Sequence, residues 1–314
     1  MAMIRAHRLG GRALLALGLA ATIAAPAAAQ PKLPDTLSWS AYDVGSGGYN
    51  QAVAIGNALK QKYGVNLRVL PGKNDVSRTL PLNQNITAIL AHANLTWDDV
   101  KKVEFGGFGA AMDGIVNNQV DAAFSSSISG KAYAIAKSPR GLVYPIISHA
   151  DKEGWKRMNA IAPFFFPFMG TEGADLSKEK PAEAATYPYP VLMTYADRDV
   201  DTVYNMTKAM VEAFGDYKDN APGNSGWDAK RQNFAWVVPY HDGAIKYWKE
   251  AGLWKPEHQA HNDKLIERQK VMATAWAEVS KGSHADDEAF KKAWAKARAD
   301  ALTKAGFDPV LTSW

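Results

Sequence analysis

The chain has no cysteine. That removes disulfide staples, thiolate nucleophiles and cysteine-held metals, and with them a lipid anchor on cysteine. Long apolar runs are scarce past the N-terminus. "IAPFFFPF" is too short to cross a bilayer and holds two prolines. An excess of one charge is missing too. The formal charge is +4, and Arg5, Arg8 and Arg12 supply three of it, leaving +1 for everything that follows. A nucleic-acid function finds no support in that balance. The glycine loop at residues 45–48 is not a G-x-G-x-x-G, and no Gly-Lys-Ser/Thr follows it, so neither a dinucleotide fingerprint nor a P-loop is present there. No pair of carboxylates stands out as an acid/base dyad.

What is present begins with an export signal. Three arginines precede "ALLALGLAATIAA", and "APAAAQ" follows, which is a basic region, a short apolar region and an alanine-rich cleavage site. Cleavage is expected after Ala29, and no twin-arginine pair precedes it, so the general export route is expected. The mature chain is then a periplasmic protein without a membrane anchor, long enough for one large or two modest domains. Ten tryptophans and twelve tyrosines fit either a packed core or an aromatic-lined cleft.

"LSWSAY" (residues 37–42) alternates as a strand does, and the glycine loop follows. "NQAVAIGNALKQKY" carries Ala52, Ile55, Leu59 and Tyr63 at helical spacing, and Gly64 stands where a helix-ending glycine belongs. "VNLRVL" (65–70) alternates again. This is a βαβ unit with parallel strands. Asn74 or Asp75 then offers an N-cap for a second helix that has Ser77 and Arg78 in its first turn. Thr96 and Asp99 fit a capping box. Beyond it the pattern predicts strands at 103–105, 120–126, 141–148 and 191–197. Helices are predicted over 107–119, 128–138 and 202–214, the last with Val203, Met206, Met210 and Phe214 on one stripe. The Pro- and aromatic-rich stretch at 162–190 reads as a crossing between domains, and the tail from His261 as mostly helix.

The first-turn amides of a helix lack partners and its dipole favours an anion, so a bare loop opening a helix at a strand's carboxyl end can hold a carboxylate. A tight turn that binds nothing is the simpler alternative. Arg78, at a second helix start, is suited to a bidentate grip on a carboxylate. "GNSGW" (223–227) with His241 and Asp242 mimics a serine-hydrolase set, but it lies in a polar linker with no strand framework. His258 and His261 lack the spacing of a zinc protease, and "EHQAHNDK" reads as a solvated bend. Catalysis is not indicated.

Three stretches carry a family resemblance. "SWSAYDVGSGGYNQAVAIGNALKQKYG", "VNNQVDAAFSSSISG" and "VVPYHDGAIKYWKEAGLW" resemble, in order, stretches of the TAXI-type solute receptors of TRAP transporters. The resemblance implies an α/β, two-lobe type II periplasmic binding-protein fold with a ligand cleft between lobes. By position, Ser46, Gly47, Gly48 and Tyr49 match the first binding loop, Asn74, Asp75, Ser77 and Arg78 the second, and Phe124, Ser125 and Ser126 the segment from the other lobe. His241 and Gly243 match a motif and are expected to be structural. One departure stands between Leu82 and Asn83. After "RTLPL" the family usually continues through a strand, a lobe crossing and a further strand, and here "NQNITAILAHANLTWDD" follows at once. The fold is therefore expected to be incomplete, with a signal peptide at 1–29, lobe 1 at 30–82 and 186–314, and lobe 2 at 83–185. The implied function is capture of a small organic acid, glutamate-like or dicarboxylate, and its delivery to the membrane subunits of a sodium-driven TRAP permease. No chemistry, cofactor, metal or nucleic acid is implied, and a monomer is expected. A ligand-sensing periplasmic module for a signalling partner, and a shortened homologue that binds nothing, remain alternatives.

Overall fold

A computed structural model describes residues 30–72 and 76–310, and the side chains of residues 76–83 lie outside that description. Residues 1–29, where an export signal is expected, lie outside it as well, with Asn74 and Asp75 and the side chains of Ser77 and Arg78. The first βαβ unit forms as its periodicity dictates. β1 (Thr36–Ala41) and β2 (Asn66–Pro71) pair in parallel, Thr36 opposite Asn66 through Ala41 opposite Pro71. Between them α1 (Gly47–Tyr63) is capped by Ser46 and ends at Gly64, whose φ of 73° is the left-handed conformation that glycine adopts without a Cβ penalty. Ile55 and Leu59 are fully buried and meet Val65, Met206, Ala209, Met210 and Tyr217 in the first core. The last four come from α6 (Val200–Glu212) and α7 (Phe214–Tyr217). Met206, Met210 and Phe214 of the anticipated stripe all face this core.

α2 (Val76–His92) runs without a break through the junction of residues 82 and 83. The two segments that meet there are both helical in pattern, so they fuse into one helix. Its second half packs on α5 (Lys152–Ile161), with Ala88 against Trp155, Met158, Ala162 and Phe165 in a second core. Arg157 pins the helix end by donating to the Ala91 and His92 carbonyls, both at 2.7 Å.

Several expected strands are not strands. Residues 103–105, 120–126, 141–148 and 191–197 have no ladder partner. Alternation makes a segment fit for a sheet, but a ladder needs a neighbour to supply its donors and acceptors. Several of their apolar side chains stand in solvent instead, Val143 84 % exposed, Met193 69 % and Tyr195 85 %, while Phe124 and Ile147 pack against the second core. The capping box at Thr96 forms, but it opens only a single 3₁₀ turn, Trp97–Asp99. The helix expected over 107–119 is α3 (Phe108–Val116), and that over 128–138 is α4 (Gly130–Ala136). The stretch read as a domain crossing is a hairpin: β3 (Phe166–Gly170) pairs antiparallel with β4 (Ala182–Thr186). Pro167 is tolerated because both strands of a two-stranded sheet are edges.

Among the described residues the sheets are thus two small ladders in a mixed α/β chain. The described residues from Pro31 onward form one compact unit. α8 (Asp242–Glu250) crosses α6, and around it Ile245, Tyr247, Trp248 and Trp254 make a third core with Phe234 and Tyr240. The Tyr204 hydroxyl donates to Glu250, Lys208 reaches Glu250 at 3.4 Å, and Lys246 meets Asp201 at 3.0 Å, tying the two helices by charge. α9 (Pro256–Lys281) and α10 (Asp287–Lys304) close the chain as a helical hairpin. The bend expected at His258 and His261 is instead the start of α9, with Pro256 in its first turn, where a missing N–H costs nothing.

Candidate functional site

The glycine loop lies at the carboxyl end of β1, where an α/β sheet places its ligands. Gly45 takes φ 85°, turning the chain so that Ser46 can cap α1. The Ser46 hydroxyl accepts from the Tyr49 amide at 3.2 Å, and Ser46 is only 2 % exposed. That side chain serves the turn. Gly47 and Gly48 provide the next amides of the first turn, and each glycine has a close neighbour. A methyl group on Gly47 would lie 3.3 Å from the Ile128 side chain, and one on Gly48 would lie 3.3 Å from the Tyr189 hydroxyl. Tyr49 is half-buried.

The structure brings the segment after Phe124 against this loop. The Gly130 amide donates to the Gly45 carbonyl at 3.0 Å. Ile128 fills a slot left by two glycines, Gly47 and Gly223. Beside it Gln51, fully buried, donates to the Pro222 carbonyl at 2.9 Å and accepts from the Trp227 indole at 2.8 Å. Ser129 caps α4, accepting from the Lys131 amide at 3.1 Å. The Ser125 hydroxyl donates to the Ser126 carbonyl at 3.2 Å, and Phe124 packs against the second core rather than over the loop. Arg78 and Ser77 sit on the first turn of α2 by backbone position.

The decoys resolve into structural parts. Ser225 donates to Glu172 at 3.1 Å and accepts from Arg231 at 3.1 Å. His241 caps α8: its Nδ1 accepts from the Gly243 amide at 3.0 Å, so Nε2 carries the proton and donates to the Arg198 carbonyl at 3.0 Å. Both ring nitrogens are spent on backbone. Gly243 is required by packing, since a Cβ there would lie 2.3 Å from the Val200 carbonyl oxygen. His258 Nδ1 accepts from the Lys255 amide at 3.1 Å, and His261 Nε2 donates to the Trp236 carbonyl at 2.6 Å. Among the described residues no group of three or more His, Asp or Glu side chains could hold a metal, and no helix is long and apolar enough to cross a membrane.

Two open grooves lie on the surface. One, of about 550 Å³, is lined by Asp242, Ile245, Lys246, Lys249 and Gln259. The other, of about 400 Å³, follows the outer face of α1 from Asn50 to Gln61 with Asn220. Neither includes residues 46–49, where Ile128 stands against Gly47 and Tyr189 against Gly48. Ile128, Gln51 and Tyr189 escaped the sequence reading. Nothing local marks them, because each acquires its role from a partner distant in the chain.

The arrangement assembles amides and hydroxyls around a loop, with no nucleophile and base brought together at it. The model of the NMT1-like family matches residues 65–252, and the chain belongs to that family. The match begins after α1, so the glycine loop precedes it. The family is periplasmic binding-protein-like, generally non-enzymatic and typically exported, and it supports a solute-binding role for this chain with a small-molecule ligand. No curated protein matches the chain.

Proposed function

We propose that this chain is an exported solute receptor that captures a small organic acid, glutamate-like or dicarboxylate, and hands it to a sodium-driven TRAP permease. The observation that carries the reading is the bare first turn of α1. Ser46 takes up the Tyr49 amide, and the Gly47 and Gly48 amides, without side chains of their own, open the same turn. A carboxylate set there gains amide hydrogen bonds and the helix dipole. Arg78 supplies the second grip from the first turn of α2. Ser77 offers a hydroxyl donor, Asn74, Asp75, Ser125 and Ser126 line the second and third segments, and Tyr49 supplies an aromatic wall. In this reading lobe 1 comprises 30–82 and 186–314, lobe 2 comprises 83–185, and the receptor acts as a monomer. The acid binds the closed arrangement better than the open one, and that difference drives closure.

The test is intrinsic tryptophan fluorescence of the chain from Gln30 onward, titrated with amino acids, dicarboxylates and keto acids. A saturable change with one acid is expected. Arg78→Ala is expected to weaken that acid by more than tenfold, the loss of a charged bidentate pair, with the melting curve unchanged. Equal affinity in the variant would remove Arg78 from the site. A cooperatively folded protein that answers no acid would overturn the receptor reading.

A further inference from the structure

A large apolar surface stays uncovered around the β3–β4 hairpin. Residues 142–146 run up to β4, where the Ile147 amide donates to the Glu183 carbonyl at 3.0 Å. The Phe168 amide of β3 donates to His149 Nε2 at 3.1 Å, so the end of the same segment also reaches β3. Residues 191–195 leave β4 by way of Tyr187, whose ring meets Phe165 edge-on at 5.3 Å. Val143 is 84 % exposed, Ile146 75 %, Phe168 40 %, Met169 45 %, Met193 69 % and Tyr195 85 %. At about 150–220 Å² for a whole residue of this size, these side chains leave roughly 600–900 Å² in solvent. The largest apolar patch on an ordinary monomer is about 300–600 Å². The total surface points the same way. It is 20,639 Å², where a compact monomer of 34.1 kDa exposes about 12,800 Å². Granting residues 1–29 the area of a fully extended chain, about 4,100 Å², still leaves an excess of roughly 3,700 Å².

We propose that two copies of the chain pair through this surface, strand edge to strand edge, about a twofold axis. Its chemistry names the occupant. Residues 141–148, 166–170 and 187–196 contain no Asp, Glu, Lys or Arg. A surface without charge repels no copy of itself, whereas an anionic lipid surface or a charged partner calls for complementary charge. The backbone of residues 191–194 makes no hydrogen bond among the described residues. That run alternates as a strand does, so an antiparallel copy of it would supply the missing ladder. A twofold axis makes each contact occur twice, and roughly 600–900 Å² from each copy matches the about 800 Å² per partner of a stable interface. The pair goes beyond the receptor reading above. It is a resting assembly, and the monomer that acts as receptor is the form released from it.

Sedimentation velocity of the chain from Gln30 onward, over about 1–100 μM, reads the pairing with no ligand present. The expected result is a species of twice the chain mass that dissociates on dilution. Met193→Lys and Val143→Lys each bring two cations, one per copy, into an uncharged interface, and each should weaken the pair by more than tenfold. Leu95→Lys, at a position 41 % exposed outside these segments, should leave it unchanged. All three replace exposed side chains, so their far-UV circular dichroism should match that of the unaltered protein. A chain that stays monomeric at every concentration would overturn the proposal, as would a dimer that both Met193→Lys and Val143→Lys leave intact. Monomers that float with neutral phosphatidylcholine vesicles would assign the surface to lipid and overturn the pairing too. Because no acid is present, the failure of the pairing and the failure of the receptor reading are told apart.

Discussion

Gly243→Ala should destabilise the protein although alanine is the better helix former. Gly243 lies in the first turn of α8, where alanine would ordinarily gain about 1 kcal/mol over glycine. Here the added carbon would lie 2.3 Å from the Val200 carbonyl oxygen, 2.8 Å from the Tyr204 amide nitrogen and 2.8 Å from Val203 Cβ. Two of those three are backbone atoms of α6 and cannot rotate aside. Ordinary contact begins near 3.4 Å, so α8 has to retreat by roughly 1 Å, in a core where overpacking costs about 1–3 kcal/mol. The retreat also loosens Ile245 and Trp248 in the third core. Against the helix gain, a net loss of up to about 2 kcal/mol is expected, and for a chain of this size that lowers the melting temperature by up to about 3 °C. Gly215→Ala is the control. Gly215 lies within α7, and nothing stands within 4 Å of its added carbon, so the same chemical change should leave stability level or raise it by up to about 1 kcal/mol. Thermal unfolding followed by far-UV circular dichroism reads both. A Gly243→Ala protein as stable as the unaltered one would refute the close crossing of α6 and α8.

Two further outcomes follow from buried and charged groups. Gln51→Leu leaves the Pro222 carbonyl and the Trp227 indole without their partner at a fully buried position. It should cost about 1–3 kcal/mol and shift tryptophan emission, and an unchanged urea midpoint would count against it. The Glu250 carboxyl is held below the ordinary carboxylate range, first by the Tyr204 hydroxyl and then by Lys208 and Lys246. A depressed carboxyl contributes stability above its unfolded pKa and loses it as pH falls through the folded value. Glu250→Gln should therefore lower the urea midpoint at neutral pH and narrow the gap between neutral and acid midpoints. An identical gap in both proteins would show that the Tyr204–Glu250 contact carries no such linkage.

The parts of the fold that the sequence announced are those written locally. The alternation of 37–41, the spacing of Ile55 and Leu59 and the glycine at 64 are each set within a few residues, and β1, α1 and β2 followed from them. Thr96 and Asp99 likewise found each other, the Thr96 amide reaching the Asp99 carboxylate at 2.8 Å. The misread parts depended on neighbours far away. Residues 141–148 and 191–197 have a strand's alternation but form no ladder, the first making only a single bond to β4 from the Ile147 amide to the Glu183 carbonyl at 3.0 Å. The β3–β4 hairpin was hidden by Pro167 and by a run of phenylalanines that looked like linker. The start of α9 did carry a local signal, Pro256 followed by Glu257, which the paired histidines obscured. For the candidate site, the glycine loop was legible because helix starts have a composition. Tyr189 and Ile128 were not, because a phenol or a methyl group that meets the loop from elsewhere in the chain leaves no mark in its own surroundings.

Most of the element pairs in this chain are near neighbours in sequence: β1 with β2, β3 with β4, α6 with α8 and α9 with α10. Such pairing keeps each closing loop short, so little chain entropy is lost before each contact is rewarded, and assembly should be fast. It also divides the native state into units that open separately. The α9–α10 hairpin meets the rest of the chain near the start of α9, through His258, His261 and Asn262, while Trp276, His284, Phe290 and Trp294 stack within the hairpin. A chain released from its N-terminus onward would therefore complete the βαβ unit, then the α6–α8 pair, then this hairpin, each closing soon after its second member is free.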